Sequence, residues 1–321
     1  METVRVPVKQ EFMRSFQRYE PTVLDHSAII LAKNCFRRYF YRIVLGRVPR
    51  ESFPFFTFGS CYHKFREVLE LAYLDAPKSE QDAPDSQLVM FQKAINAAME
   101  LWAKKRATDP PVGSKWDFLT KARLIESCAV AFKHWQGEKR KKQIVVLAVE
   151  QNFILPFPDG EYTGGKADQI VLWNGKPWGR DFKTTSKEKK YYERTVDPND
   201  QFTRYTWGVE KLSGQPVSGI IVEALYNAKS VKAGQKGPEI WTLLATRSLD
   251  QVQQWERESV TFNKILNVIR NDDQWPMEES NCSFCPYHSV CSRPTERAQM
   301  AKLESEFNVE PWNFLERMDD E

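Results

Sequence analysis

After a polar, mixed-charge segment over 1–20, helix-like stretches run to roughly position 140, then give way to shorter β-branched runs from Ile144. In the first part the spacing predicts helices over 25–45, 59–74, 86–105 and 115–137; Leu88, Phe91, Ile95, Met99 and Trp102 show the period most clearly. Asp25 is placed to cap the first helix. Pro49, Pro54 and Gly59 mark an irregular connection, a polar linker runs from Pro77 to Asp85, and Pro110-Pro111-Val112-Gly113 separates the last two helices. The second part opens with IVVLAVEQNFILPF, a strand carrying Glu150, followed by a turn over 156–160.

The stretch 164–185 has the strongest local signal. Asn174-Gly175 interrupts two strand-like runs, and a two-residue type I′ turn needs residues that tolerate positive φ. Counting back from that turn, Trp173 pairs with Lys176 and Asp168 falls opposite Asp181. Facing side chains in such a ladder lie about 4.5–5.5 Å apart at Cβ, so the two carboxylates call for a cation between them. Lys183, two residues after Asp181, shares its face. A basic loop follows over 186–194. Asp197-Pro198 then reads as an N-cap and first helical residue, opening a helix that runs through Leu212 and presents Gln201 and Tyr205 on one face. Strands over 217–227 and 239–247 flank a Gly/Lys-rich turn, and Ser248 with Gln251 forms a capping box for a helix over 248–270.

The composition, 41% hydrophobic and 28% charged over 321 residues, is that of a soluble globular chain. A net charge of +3 is too mild to identify a nucleic-acid partner. Local clusters (Arg37-Arg38, Arg47 with Arg50, 139–142, and Lys187 with Lys189-Lys190) read first as solvated surface. No apolar run approaches a membrane span and the N-terminus lacks a signal-peptide core, so a cytoplasmic protein is expected. Six cysteines in such a chain point to metal or catalytic use rather than disulfides, with Cys128 a small core residue.

Two sets of residues carry chemistry. Cys282, Cys285 and Cys291 form a Cys-x2-Cys-x5-Cys cluster that lacks one ligand; Cys35 is the first choice for the fourth and His288 the second. Spacing leaves Zn²⁺ and an iron–sulfur cluster both open. Asp168 and Asp181 would hold Mg²⁺ or Mn²⁺ through oxygen, and Lys183 would orient or help deprotonate a water or offset transition-state charge. His63 shares a helix face with Glu67 and Glu70, although a lone helical histidine is more often a core or surface residue.

Gly59-x3-His63-x3-Glu67, Glu150, Gly165-x2-Asp168, Asp181-x-Lys183 and Gln201-x3-Tyr205 occur in the order seen in RecB-type nucleases of the PD-(D/E)XK superfamily, which the chain resembles over about 25–295. With Cys35 and the 282–291 cysteines bracketing these motifs, it resembles the iron–sulfur branch, the CRISPR-associated exonucleases and AddB-type subunits. That resemblance implies Asp168, Asp181 and His63 as ligands of Mg²⁺ or Mn²⁺ and Lys183 as the catalytic lysine. Gln201 and Tyr205 would support the site and the DNA, and Glu150 would steady the attacking water or Lys183. It implies a [4Fe–4S] cluster on Cys35, Cys282, Cys285 and Cys291 that staples the chain ends. The family often has proline after the first cysteine, where this chain has Phe36.

The expected architecture is a restriction-endonuclease-like α/β domain over 25–295, between a segment 1–24 and a tail 296–321. It has a mixed central sheet flanked by helices, and a helical insertion over about 77–140. The expected activity is metal-dependent DNA hydrolysis, exonucleolytic on single strands or ends. Partners would be DNA and proteins of recombination, repair or CRISPR systems. The chain lacks a G-x-x-x-x-G-K-[ST] loop, which favours a stand-alone nuclease, as in phage or mobile-element versions, over a fused helicase. Rival readings are a non-catalytic DNA-binding adaptor on the same fold and a zinc-stapled domain without iron.

Overall fold

A computed structural model describes residues 17–19, 21, 23–50, 54–105, 107–229, 237–313 and 315. The polar segment 1–16, most of the Gly/Lys-rich turn (230–236) and the charged end 316–321 lie outside the described residues. In chain order the elements are β1 (Val23–Leu24), α1 (His26–Asn34), α2 (Phe36–Tyr39), β2 (Arg47–Pro49), α3 (Pro54–Asp75), α4 (Pro84–Lys104) and α5 (Lys121–Lys141). Then follow β3 (Ile144–Pro156), β4 (Tyr162–Trp173), β5 (Lys176–Thr185), α6 (Lys189–Tyr192), α7 (Asp200–Ser213), β6 (Gly219–Tyr226) and β7 (Glu239–Thr246). The last are α8 (Leu249–Asp272), α9 (His288–Cys291), α10 (Glu296–Glu306) and β8 (Phe307–Val309). Among the described residues, no helix is long and apolar enough to cross a membrane. Contacts divide the chain into two compact units, each assembled from separated segments.

The first unit comprises Met1–Glu51, Pro158–Thr163 and Val260–Asn313. Its core packs Tyr39, Phe40, Ile43 and Val44 with Leu266, Trp275, Tyr287 and Leu303, and Phe40 stacks on Trp275 at 5.0 Å. Asp25 caps α1 as its position predicts, accepting from the Ser27 and Ala28 amides, and it also accepts from Trp312 Nε1 at 3.0 Å. The single helix expected over 25–45 is broken. Cys35 is extended (φ −172°, ψ 115°), and a π-helical turn over Phe40–Val44 follows α2. The break follows from a distant partner: the Arg37 amide donates to Pro276 O at 3.1 Å, where an unbroken helix would send it to residue 33. β1 runs parallel to Tyr162-Thr163, and β2 pairs antiparallel with β8.

The second unit comprises Ser52–Phe157, Gly164–Ser259 and Phe314–Glu321. Its strands lie in the order β3-β4-β5-β6-β7, with β5 and β6 parallel and the β4/β5 and β6/β7 pairs antiparallel. This is the expected mixed sheet, with helices packed on it. Strand alternation sends Phe182 and Leu225 into the packing of α3, α4 and α5, and Ile220 and Val222 against Phe202 and Tyr205 of α7. Asp181, between Arg180 and Phe182, therefore belongs to the α7 side.

Several helix starts differ from the sequence expectation, α5 among them, which begins at Lys121 under a Thr120 cap rather than at 115. Among the described residues α3 is already helical at Pro54, ahead of the expected Gly59. α7 begins at Asp200, capped by Asn199 Oδ1 on the Phe202 amide at 3.3 Å, so Asp197-Pro198 precedes the helix instead of opening it. The Ser248–Gln251 capping box forms in both directions, at 2.8 and 3.2 Å.

Candidate active site

Asn174 (φ 50°) and Gly175 (φ 75°) both take the left-handed conformation a type I′ turn requires. The ladder runs from Trp173↔Lys176 to Gln169↔Arg180, and the next positions along the two strands are Asp168 and Asp181. Both aspartates are buried. Asp168 Oδ2 accepts the Phe182 amide at 2.6 Å, and His63 Nδ1, from α3, stands 3.4 Å from the same oxygen. Lys183 Nζ lies 3.2 Å from Asp181 Oδ1 and 3.1 Å from Oδ2. Oδ2 nonetheless accepts no well-formed hydrogen bond. Two buried carboxylates and an imidazole are a donor set a hard divalent cation takes, so the residues fit Mg²⁺ or Mn²⁺.

The charges are strongly coupled. Asp181 is pushed up to about 6, chiefly by burial, with Lys183 opposing and the Asp168 charge adding to the rise. Burial also raises Asp168, but His63, Lys183 and the Phe182 amide outweigh it and hold that carboxyl below its ordinary range. Burial lowers His63, and Asp168 more than offsets this, leaving the imidazole raised.

Glu150 lies within β3 at φ 53° and pairs with Lys166 of β4 rather than with Lys183. Burial, then the charge of Asp168, raises Glu150 to about 7 against the pull of Lys166. The sequence reading missed Lys166. Its signal was present, because in Gly165-Lys166-Ala167-Asp168 it sits two residues before Asp168 and shares its strand face.

Gln201 Nε2 approaches Tyr205 Oη at 3.3 Å on α7, and Tyr205 packs edge-on against Phe153. A Cβ on Gly165 would come 2.5 Å from Phe153 Cζ, and one on Gly208 would come 2.6 Å from it, so glycine at both positions lets the ring sit between strand and helix. Tyr192, which the sequence reading did not single out, is raised by burial and then by the Asp181 charge.

On the other face of β5, Glu223 pairs with both Arg66 and Arg180, and all three are buried. The two guanidiniums lie 4.1 and 5.2 Å from the Phe182 ring, whose backbone amide holds Asp168. His134, Glu138 and Glu223 bring ligand atoms within 4.8 Å of one another, a possible acidic metal site. Arg180 already pairs with both glutamates, so a cation there would meet a fixed guanidinium. The Glu67 and Glu70 that share the His63 face have other partners: Lys64 for Glu67, and Lys139 with Trp135 Nε1 for Glu70.

Cys35, Cys282, Cys285 and Cys291 line one small cavity together with Arg38, Tyr287 and His288. All are free thiols. The Glu278 amide donates to Cys35 Sγ at 3.4 Å, so the extended residue that breaks the helix turns its sulfur toward the segment leading to Cys282. Cys291 is pushed up to about 11, chiefly by burial, with Arg37 opposing and the other three cysteines adding to the rise. Four thiols sharing a cavity fit a cysteine-held metal or cluster. Cys61 and Cys128 lie instead in the helical packing, where burial pushes Cys61 up to about 12.

The fold is mixed α/β, with a central mixed sheet that carries the Asp–Asp–Lys set on its β4–β5 hairpin. The chain matches the PD-(D/E)XK nuclease superfamily over residues 24–292 and belongs to it. This makes it a nuclease by family, with DNA as the implied substrate. A crystal structure of an Eubacterium rectale protein with a provisional exonuclease designation is similar over 94% of this chain and 98% of that one, at 12% identity and a TM-score of 0.48. The structure of SSO0001 is similar over 71% of this chain and 93% of that one, at 14% identity and a TM-score of 0.30. No curated protein matches the chain.

Proposed function

We propose that the protein is a metal-dependent DNA exonuclease of the RecB-like, iron–sulfur branch, acting on single strands or DNA ends. The observation that carries this reading is the set of His63, Asp168, Asp181 and Lys183, in which the two carboxylates are buried, the imidazole and the ammonium are half-buried, and each carboxylate is paired with one of them. A Mg²⁺ or Mn²⁺ ion held by Asp168, Asp181 and His63 supplies Lewis acidity and charge neutralisation at the phosphate. Lys183, held at Asp181, places a cation and a transferable proton beside the reacting phosphate. Gln201 and Tyr205 line the α7 side and orient the strand being cut. The cytoplasm is the proposed setting, and recombination, repair or CRISPR-related proteins are the proposed partners.

The four cysteines are assigned to a [4Fe–4S] cluster. The [4Fe–4S] assignment follows the resemblance of Cys35 and the 282–291 cysteines to the iron–sulfur branch, with zinc as the alternative.

Digestion of labelled linear single-stranded, linear duplex and circular DNA with Mg²⁺ or Mn²⁺ tests the activity. Metal-dependent loss of the linear substrates with circles spared is expected. Cutting of circles overturns the exonuclease assignment, and intact DNA throughout overturns the nuclease reading in favour of a DNA-binding adaptor. A brown protein absorbing in the visible after anaerobic purification is expected; a colourless one with zinc rejects the cluster.

A further inference from the structure

Lys166 is a buried lysine inside the site that the aspartates and Lys183 do not account for. It is 9% exposed and lies on the same strand face as Asp168. Its ammonium pairs with Glu150, which sits in a strand at φ 53°. A non-glycine residue adopts that conformation at a cost, and burying a Lys–Glu pair costs further desolvation without adding apolar contact. Both bring a third carboxylate within electrostatic reach of Asp168, with a cation attached to it.

Counted together, Glu150, Asp168 and Asp181 stand against Lys166 and Lys183, with Lys166 paired to Glu150 and Lys183 to Asp181. A divalent cation entering between Asp168 and Asp181 adds positive charge beside Lys166 and draws Glu150 toward itself. We infer that Lys166 is an internal stand-in for the divalent cation: it occupies Glu150 in the metal-free protein and yields it when the cation binds. Glu150 is then the third carboxylate of the metal site, and the metal affinity is set in part by competition with Lys166. This rests on the metal-dependent reading above.

The test is Mn²⁺ binding to the full-length protein without DNA, followed by calorimetry and by the electron paramagnetic resonance signal of free Mn²⁺. Wild type, Lys166→Met, Glu150→Gln and the double variant are compared, with circular dichroism to check folding and Lys166→Gln as a milder alternative. Lys166→Met is expected to bind Mn²⁺ at least tenfold more tightly than wild type, and Glu150→Gln at least tenfold more weakly. In the Glu150→Gln background the lysine substitution should gain little, because its competitor role is gone. A Lys166 variant that binds Mn²⁺ no more tightly than wild type, or gains equally in both backgrounds, overturns the stand-in while leaving the metal site intact. Wild type that binds no Mn²⁺ rejects the metal-dependent reading itself. A purely structural Lys166 lowers stability without tightening Mn²⁺ binding.

Discussion

Glu223→Gln keeps the shape of a fully buried side chain and deletes the charge shared by Arg66 and Arg180. Arg180 keeps Glu138 at 2.5 Å, but Arg66 loses its carboxylate partner while still buried. Removing one member of a buried ion pair costs about 3–5 kcal/mol, because the other charge is left uncompensated. With one guanidinium orphaned and one still paired, about 3–4 kcal/mol is expected. Ordinary domains have about 5–15 kcal/mol in total, so the variant should fold but with a depleted margin. With a urea dependence of about 1–3 kcal/mol per molar, the midpoint should fall by roughly 1 M or more. Equilibrium urea unfolding of metal-free protein, followed by circular dichroism, measures this. Adding Arg66→Met should recover at least half the loss, since the uncompensated charge is then gone. A cost below about 1 kcal/mol, or strictly additive single and double variants, would refute the account of the network.

Gly208→Ala places a methyl 2.6–2.9 Å from three atoms of the Phe153 ring and should cost about 1–3 kcal/mol by overpacking, with Phe153→Leu restoring part of it in thermal unfolding. A neutral Gly208→Ala contradicts the close approach. The Glu150 carboxyl titrates near 7 in the fold against an ordinary 4.5, chiefly through burial and then Asp168. Between those values the folded chain keeps a proton the unfolded chain has lost, so the stability it contributes disappears as pH rises through about 7. Metal-free wild type should therefore lose stability relative to Glu150→Gln between about pH 5 and 8, and a pH-independent gap sinks the assignment. Cys35→Ser should lose visible absorption and iron after anaerobic purification; a full cluster in that variant removes Cys35 as a ligand.

The parts of the molecule readable in advance were those fixed by neighbours in sequence. Asn174-Gly175 set the hairpin register because a two-residue turn leaves no freedom in the count, and that count brought Asp168 beside Asp181 and Lys183. Asp25 and the Ser248–Gln251 box were legible for the same reason. What escaped depends on partners far along the chain. The helix break at Cys35 follows from an Arg37 amide bond to Pro276, and the network behind Phe182 joins residues 157 positions apart. Glu70 shares the helix face of His63 as its spacing predicts, yet its partners, Trp135 and Lys139, come from α5. Spacing along one helix says nothing of what packs against it. Lys166 was visible by alternation from Asp168, but its pairing required Glu150 to adopt a backbone conformation that no local pattern announces.

The central claim is that the hairpin carboxylates perform metal-dependent DNA hydrolysis. Initial rates of digestion of linear DNA by wild type and by Asp181→Asn, at matched folded concentration and saturating Mg²⁺ or Mn²⁺, test it directly. The predicted result is digestion by wild type that stops on chelation, and a loss of about 10³-fold or more in the variant, roughly 4 kcal/mol of barrier. An Asp181→Asn protein that digests DNA as fast as wild type, or a wild type that leaves it intact with metal present, would contradict it.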